Sequence, residues 1–504
     1  MGETTRQDVR DYGASPSTPL LSPPPPPPDP EQPTNPIPRH RLRIRKLLLI
    51  LFCISLLTPI YTIARRLFPD WPWPSPDPRP PPIPWRYYSR QYTYGLTPNG
   101  TSEGYTLSVH EFINPGFFPL GVTGSVKLLT GKPTQSHNLL IYIQVFSNFA
   151  SPINCITPDR IITPGSTENI TITAIPNRFP VNRKPTDFHD SQTFVNVWVY
   201  TRPEARRLGH VSISTNLLEI IIPESGAKLE TTRLSLSSGH GGISNKFPGG
   251  AGHEPDPLSA GHISLYSRHS HINGNWGYGL SYSAAAPEDV VDILLYPRQI
   301  SWGPYTPGDI DITAKYHISV LTPFFKDQLS SRNTTISMLS HRGDINAQLV
   351  TGSFTNITAV EGNVCVGMLP YWGPIADGNL PPDAPKINTY SKYNTTVEIE
   401  KPVNIGGQGG DPFEIMKAKH VAKEGRIGVS YPEGFWKGRV DVESLRERAE
   451  ILDVDGKEMG GVVREADGKV YLKGGSRVSF VSVVGGEQAV FRFWEGSPER
   501  RVGV

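Results

Sequence analysis

Hydrophobic residues fall into two textures along this chain. From Leu47 to Ala64 they form one block of eighteen residues without a charge, interrupted only by Ser55, Thr58 and Thr62 among polar residues. That block is apolar all round, where a core helix of a soluble domain would show one apolar stripe and one polar face. Beyond about residue 104 the texture changes to alternation, in "NLLIYIQVF", "ENITITAI", "TFVNVWVY" and "GHVSISTNLLEIIIP". Period-2 runs of β-branched and aromatic residues bounded by Pro, Gly and Asn predict strands. A short helical turn is expected only around "DVESLRERAE".

From residue 231 the alternation acquires a frame. In "TRLSLSSGHGGISN", "GHISLYSRHSHING" and "TTISMLSHRGDINA", apolar residues stand at positions 1, 3 and 10: Leu234, Leu236, Ile243; Ile263, Leu265, Ile272; Ile336, Met338, Ile345. "FTNITAVEGNVCVG" fits through Thr355, Ile357 and Val364, and "GRVDVESLRERAEI" through Val440, Val442 and Ala449. Gly241, Gly343 and Gly362 recur two residues before the tenth position, where the turn is expected to need positive φ. Each unit reads as strand, glycine turn, strand, and one unit alone buries too little to stand by itself. Spacing between units is irregular, with insertions such as "FPGGAGHEPDPLSA". The fold class is therefore mainly β, either an irregular β-solenoid or a β-sandwich of hairpins.

At ~1.5 Å per residue the block 47–64 spans about 27 Å as a helix, close to a bilayer's apolar core. The 46 residues before it are too long for a signal-peptide leader, and its best cleavage candidate runs directly into Arg65-Arg66. A single transmembrane helix is the expectation. Arg39, Arg41, Arg43, Arg45 and Lys46 outweigh Arg65, Arg66 and Arg79, which places the amino terminus in the cytoplasm and the rest outside or in a lumen. Five sequons, at Asn99, Asn169, Asn333, Asn356 and Asn394, all lie beyond the block, where glycan acceptors of an exported region belong.

The predicted organisation is a disordered proline-rich cytoplasmic tail over 1–46, the span at 47–64 and a proline-rich stalk over 65–103. A β-rich start follows at 104–225, then adhesin-like repeats at 226–400, then a glycine-rich linker and final repeat section at 401–504. Fifty-one prolines and forty-eight glycines suit that plan. A net charge of +2 gives no reason to expect nucleic acid, and the basic block at 39–46 faces anionic lipid. Cys53 lies in the span, which leaves Cys155 and Cys365 as a candidate disulfide in an oxidising compartment, the alternative being two buried thiols.

The units "LSLSSGHGGIS", "ISLYSRHSHING", "ISMLSHRGDIN", "GRVDVES" and "GGSRVSFVSVVGG" resemble a known pattern. It is similar to that of fungal single-pass membrane proteins whose outer region carries an adhesin-type β-repeat, over roughly residues 205 to 495. The resemblance implies a solenoid-like surface domain and no catalytic residues to carry over.

Candidate chemistry is sparse. Asp309-Ile310-Asp311 and Asp453-Val454-Asp455 have the spacing with which glycosyltransferases grip a metal-bound nucleotide, but alternating Asp in a β-rich chain usually marks a strand's wet face. His240, His253, His262, His269 and His271 cluster in glycine-rich sequence, with His269 and His271 on one strand face if that segment is extended. Asp344 and Glu361 occupy nearby turn positions without the pairing that acid catalysis requires. "GGQGGDP" lacks a phosphate loop's Lys-Ser/Thr ending and reads as linker. No catalytic, metal or cofactor site is assigned. The expected protein is a membrane-anchored surface glycoprotein, structural or adhesive toward cell-wall or surface glycans or proteins. The alternative is a secretory-pathway carbohydrate-active enzyme, either a type II glycosyltransferase or a β-helical polysaccharide enzyme.

Overall fold

The structure is a computed structural model. It describes residues 88–96, 106–112, 121–147 except 136 and 138, 156–163, 167–174, 192–201, 207–224, 229–246, 258–297, 308–322, 334–370, 384–402 and 412–494 except 437 and 473–478. All belong to the compact unit Trp85–Val504. The predicted tail and the span at 47–64 lie outside the described residues. No helix of the described residues is long and apolar enough to cross a membrane.

The described part opens with β1 (Tyr88–Leu96), inside the stretch assigned to the stalk, then β2 (Thr106–Glu111) and β3 (Gly121–Thr130). Next come β4 (Leu139–Ser147), the hairpin of β5 (Ile156–Thr163) and β6 (Thr167–Ala174), then β7 (Gln192–Thr201), β8 (Arg207–Thr215) and β9 (Glu219–Ile222). Regular pairs follow: β10 (Leu229–Ser238) and β11 (Ile243–Asn245), then β12 (Leu258–Ser267), β13 (Ile272–Ala286) and β14 (Val291–Pro297). After these come β15 (Asp309–Ala314) and β16 (Ile318–Leu321), β17 (Thr335–Ser340) and β18 (Ile345–Thr351), β19 (Phe354–Ala359) and β20 (Val364–Pro370). The series continues with β21 (Lys386–Ser391) and β22 (Thr395–Ile399), β23 (Lys417–Ala422) and β24 (Ile427–Pro432). Last are β25 (Arg439–Ser444), β26 (Ala449–Leu452), β27 (Val462–Arg464), β28 (Val470–Leu472), β29 (Phe480–Gly485) and β30 (Ala489–Trp494). The segment "DVESLRERAE" is strand, turn and strand, not helix, because Val440, Val442, Ala449 and Ile451 continue the two-residue alternation into the core.

These strands form two facing columns of parallel strands, which decides for a solenoid over a hairpin sandwich. The front column runs β8, β10, β12, the end of β13, β15, β17, β19, β21, β23. The back column runs β9, β11, the start of β13, β14, β16, β18, β20, β22, β24. One rung is a front strand, a tight turn and a back strand. β13 passes from back to front without a break; Gly274, still in the back column, has a φ of +107° that glycine accommodates and no space for a Cβ against the Asn245 carbonyl.

Alternation fixes which side chains meet. Frame positions 1 and 3 point inward and stack one per rung, as Ile312, Met338 and Ile357 do. The first residue of each back strand, such as Ile318, Ile345 and Val364, faces them across the core. Position 5 is buried as well and small: Ser238, Ser267, Ala286, Ala314, Ser340, Ala359, Ser391 and Ala422. From β10 to β23 only these small residues occupy the position, whereas the earlier strands place Thr215 and Glu111 there, the Glu111 carboxylate accepting the amides of Asn216 and Leu217 at 2.8 and 2.9 Å. The serines satisfy themselves on turn carbonyls, with Ser267 donating to Gly241 at 3.1 Å and Ser340 to Gly343 at 2.8 Å.

The turn glycines act through space, not handedness. Gly241, Gly343 and Gly362 are absent from the positive-φ positions. A Cβ on Gly343 would lie 2.1 Å from the Tyr316 carbonyl oxygen, one on Gly362 2.1 Å from that of Gly343, and one on Gly241 2.3 Å from that of Leu218. Turns therefore stack as closely as strands do.

Both ends are threaded in the same way. At the start, rung β2/β3 lies between β6/β7 and β8/β9, although it precedes both in sequence. At the finish, β29/β30 inserts between β23/β24 and β25/β26. Antiparallel strands close each end: β4 with β1 on the back and β5 on the front at one, β28 and β27 on the front at the other.

Close turn stacking predicts a sharp contrast between two glycines. Gly343→Ala should destabilise the chain by about 2 kcal/mol or more, since the backbone itself must move. Gly428→Ala, on the outer face of β24 with nothing within 4 Å, should change stability by less than about 0.5 kcal/mol. Urea midpoints of the full-length variants check this; equal shifts would refute the stacking explanation.

Candidate functional site

Alternation also fixes what the solenoid shows to solvent. Along the front, one outward residue per rung forms a row in register: Ser235, Ser264, Ser283, Asp311, Ser337 and Asn356. Neighbours in such a row are about 4.8 Å apart, the spacing of paired strands. The result is a polar face of small hydrogen-bonding groups.

Asp309 and Asp311 belong to that face, both exposed, with Ile310 between them buried in the core. Asp453 and Asp455 lie instead in a tight turn after β26. The Asp453 carboxylate accepts the amide of Lys457 at 2.9 Å, and Asp455 faces the Lys457 ammonium at 3.7 Å. The two pairs are not brought together, and among the described residues no three His, Cys, Asp or Glu side chains converge as a metal site would require.

Asp344 has a structural role. Its Oδ1 accepts the backbone amide and the side-chain amide of Asn363, at 2.8 and 2.9 Å. Asn363 Oδ1 then accepts the amide of Asn394, and Asn394 Oδ1 that of Arg426, each at 3.0 Å. This ladder climbs four rungs at the turn residue just before each back strand. Glu361 stays outside it, 3.9 Å from Arg342 on the exposed turn edge.

The histidines divide similarly. His240 and His269 stack at 4.6 Å on successive turns, and His269 Nδ1 lies 2.5 Å from Glu288. His271 is a turn residue too, so it shares no strand face with His269. His262 is on the front face, 2.8 Å from the Ser281 hydroxyl; partial burial and then the Arg233 charge lower its pKa. His253 lies outside the described residues.

The histidine that sequence reading passed over is His420, fully buried at frame position 3 of β23. Its Nδ1 lies 3.0 Å from the Thr389 hydroxyl one rung away, and its Nε2 3.3 Å from the Tyr431 hydroxyl across the core. Tyr431 is stacked on Phe491 and ringed by Phe413 and Trp436, an aromatic plug near the carboxy-terminal end. Burial lowers the His420 pKa to about 3 and pushes that of Tyr431 far up. The available signal was the frame itself, which puts His420 where other rungs carry Met338 or Ile357.

Of the sequons, Asn356 is half-buried on the outer face of β19 and Asn394 is exposed at a turn. Asn169 sits within β6, opposite Ser108, while Asn99 and Asn333 lie outside the described residues. Cys365 is an exposed thiol on the outer side of β20, in register with Asn346 and Thr396. Cys155 lies outside the described residues.

No family model matches the chain, and no curated protein matches it. Among solved structures there is a match to a Clostridium sporogenes protein provisionally described as a cell adhesion protein. The alignment covers 81% of this chain and all of that one, at 7% identity and a TM-score of 0.16, too low to support any argument.

Burial of His420 makes stability pH-dependent. Below about 6.5 the unfolded chain takes up a proton that the folded chain refuses until about pH 3. This contribution is therefore complete above pH 6.5 and lost on acidification through that window, at up to about 1.4 kcal/mol per pH unit. Urea midpoints of the wild type and of His420→Met, compared between pH 7 and pH 4, should show a steeper fall for the wild type. Parallel curves would contradict the assignment.

Proposed function

We propose that this chain is a membrane-anchored surface glycoprotein whose outer region is a two-faced β-solenoid, with a structural or adhesive role at the cell surface or wall. The observation that carries this reading is the regular outer face. Outward side chains repeat once per rung along a continuously paired sheet, which suits an extended partner better than a small molecule. The acidic pairs and histidines that could have marked an enzyme are dispersed on that face or held in turns.

The anchor, its orientation and the glycans are supported by the uncharged block at 47–64, the basic residues at 39–46 and the position of all five sequons beyond the block. Glycans or proteins of the wall or surface are the proposed partners.

In microsomes made from expressing cells, added protease should remove only the tail of about 46 residues. Glycosidase treatment of the protected fragment should increase its mobility. A protected tail with a digested, glycan-free β region would overturn both the orientation and the surface role.

A further inference from the structure

We propose that the front face carries a binding site for a linear acidic polysaccharide, centred on Lys386, Lys417 and Lys419. This deepens the adhesive reading and rests on it for where the ligand is met. Lys386 opens β21 and Lys417 opens β23, and the two are direct partners across the strand pair. Lys419, two residues on, faces Asn388. All three are exposed, and none forms an ion pair among the described residues. Lys392, in the turn of the same rung, lies instead over the Tyr393 ring, 5.3 Å from its centroid.

The flanking strands sharpen the site. In the row through Lys386 and Lys417, the residue on one side is Phe354 of β19 and on the other Phe480 of β29. The row reads Phe, Lys, Lys, Phe, with the two rings about 14 Å apart at ~4.8 Å per strand. In the next row Asn388, Lys419 and Ser482 add hydrogen-bonding groups, and Asp441, beyond Ser482, is held by Arg439 at 2.6 Å. Two cations without internal counter-ions, bracketed by two aromatic rings, suit a chain of sugar rings: apolar ring faces lie on the phenylalanines, and carboxylates or sulfates meet the ammonium groups.

The geometry disfavours other anionic partners. The site lies in mid-sheet, where β19, β21, β23 and β29 are all paired, so no edge is open for strand addition. Phe354 is half-buried and Phe480 is 36% exposed, so the two rings offer little apolar surface to insert into a bilayer.

The test is affinity electrophoresis of the full-length, detergent-solubilised chain through gels containing polygalacturonate, dextran sulfate or neutral dextran. Retardation is expected with one or both acidic polymers, weakening at high salt, and absent with neutral dextran. K417E/K419E should lower the affinity at least roughly tenfold. F480S should lower it several-fold without changing the salt dependence. If the double variant unfolds, K417Q/K419Q provides the same comparison. Unchanged binding in the lysine variants, equal retention by neutral dextran, or lysine-dependent binding only to phosphatidylserine vesicles would overturn the proposal. Lysine-dependent glycan binding together with a failed protease-protection result would uphold the site and remove only its assigned location.

Discussion

Between successive rungs, the amide that opens each back strand donates to a turn carbonyl one rung on: Ile318 to Asp344, Ile345 to Asn363, Val364 to Asn394, Thr395 to Arg426, at 2.9 to 3.0 Å. Hydrogen bonding thus continues through the bends as well as along the faces. Once the turns must approach to backbone distance, Gly343 and Gly362 have no room for a side chain, and position 5 of the rungs from β10 to β23 carries only Ser or Ala. The Asp344, Asn363 and Asn394 side chains extend the same column with a second set of bonds on its outside. Register is fixed by this column, and a one-residue slip would turn every apolar row toward water.

A stack built in this way has vulnerable ends, since an open parallel edge can pair with any other strand. The front edge at the start is β5, which carries Pro158 and Asp159; at the finish it is the three-residue β27, whose Arg464 is tied to Glu458. The inserted rungs matter as much. Because β29/β30 is last in sequence yet lies inside β25/β26, the end cannot dock until the final described segment is in place. Such long-range pairing makes assembly slow, and it binds both ends into the stack.

The same regularity shapes the surface. Strands that alternate in and out present outward groups at fixed spacing, and a lysine or phenylalanine substituted into one rung acquires neighbours from two others. The row of Phe354, Lys386, Lys417 and Phe480 arises in that manner from four strands spread over more than a hundred residues. On the same strand, three residues beyond Lys417, His420 takes a core position without charge, so the face is basic while the core remains neutral.

By itself the sequence determined that the chain beyond residue 104 is mainly β, that positions 1, 3 and 10 of the repeat are core, and that Asp309 and Asp311 face water. Those follow from alternation, which is local and needs no knowledge of neighbours. It also pointed to Gly241, Gly343 and Gly362, though for a different cause: a clash with the next rung leaves no trace in a glycine's own neighbourhood. Position 5 passed unnoticed because serine looks like a surface residue until its burial is known. Only the tertiary structure decided solenoid over sandwich, the inserted end rungs, the Asp344 ladder and the grouping of Lys386 with Lys417. Each of these is a pairing between distant segments, fixed by backbone hydrogen bonds whose partners no local pattern specifies.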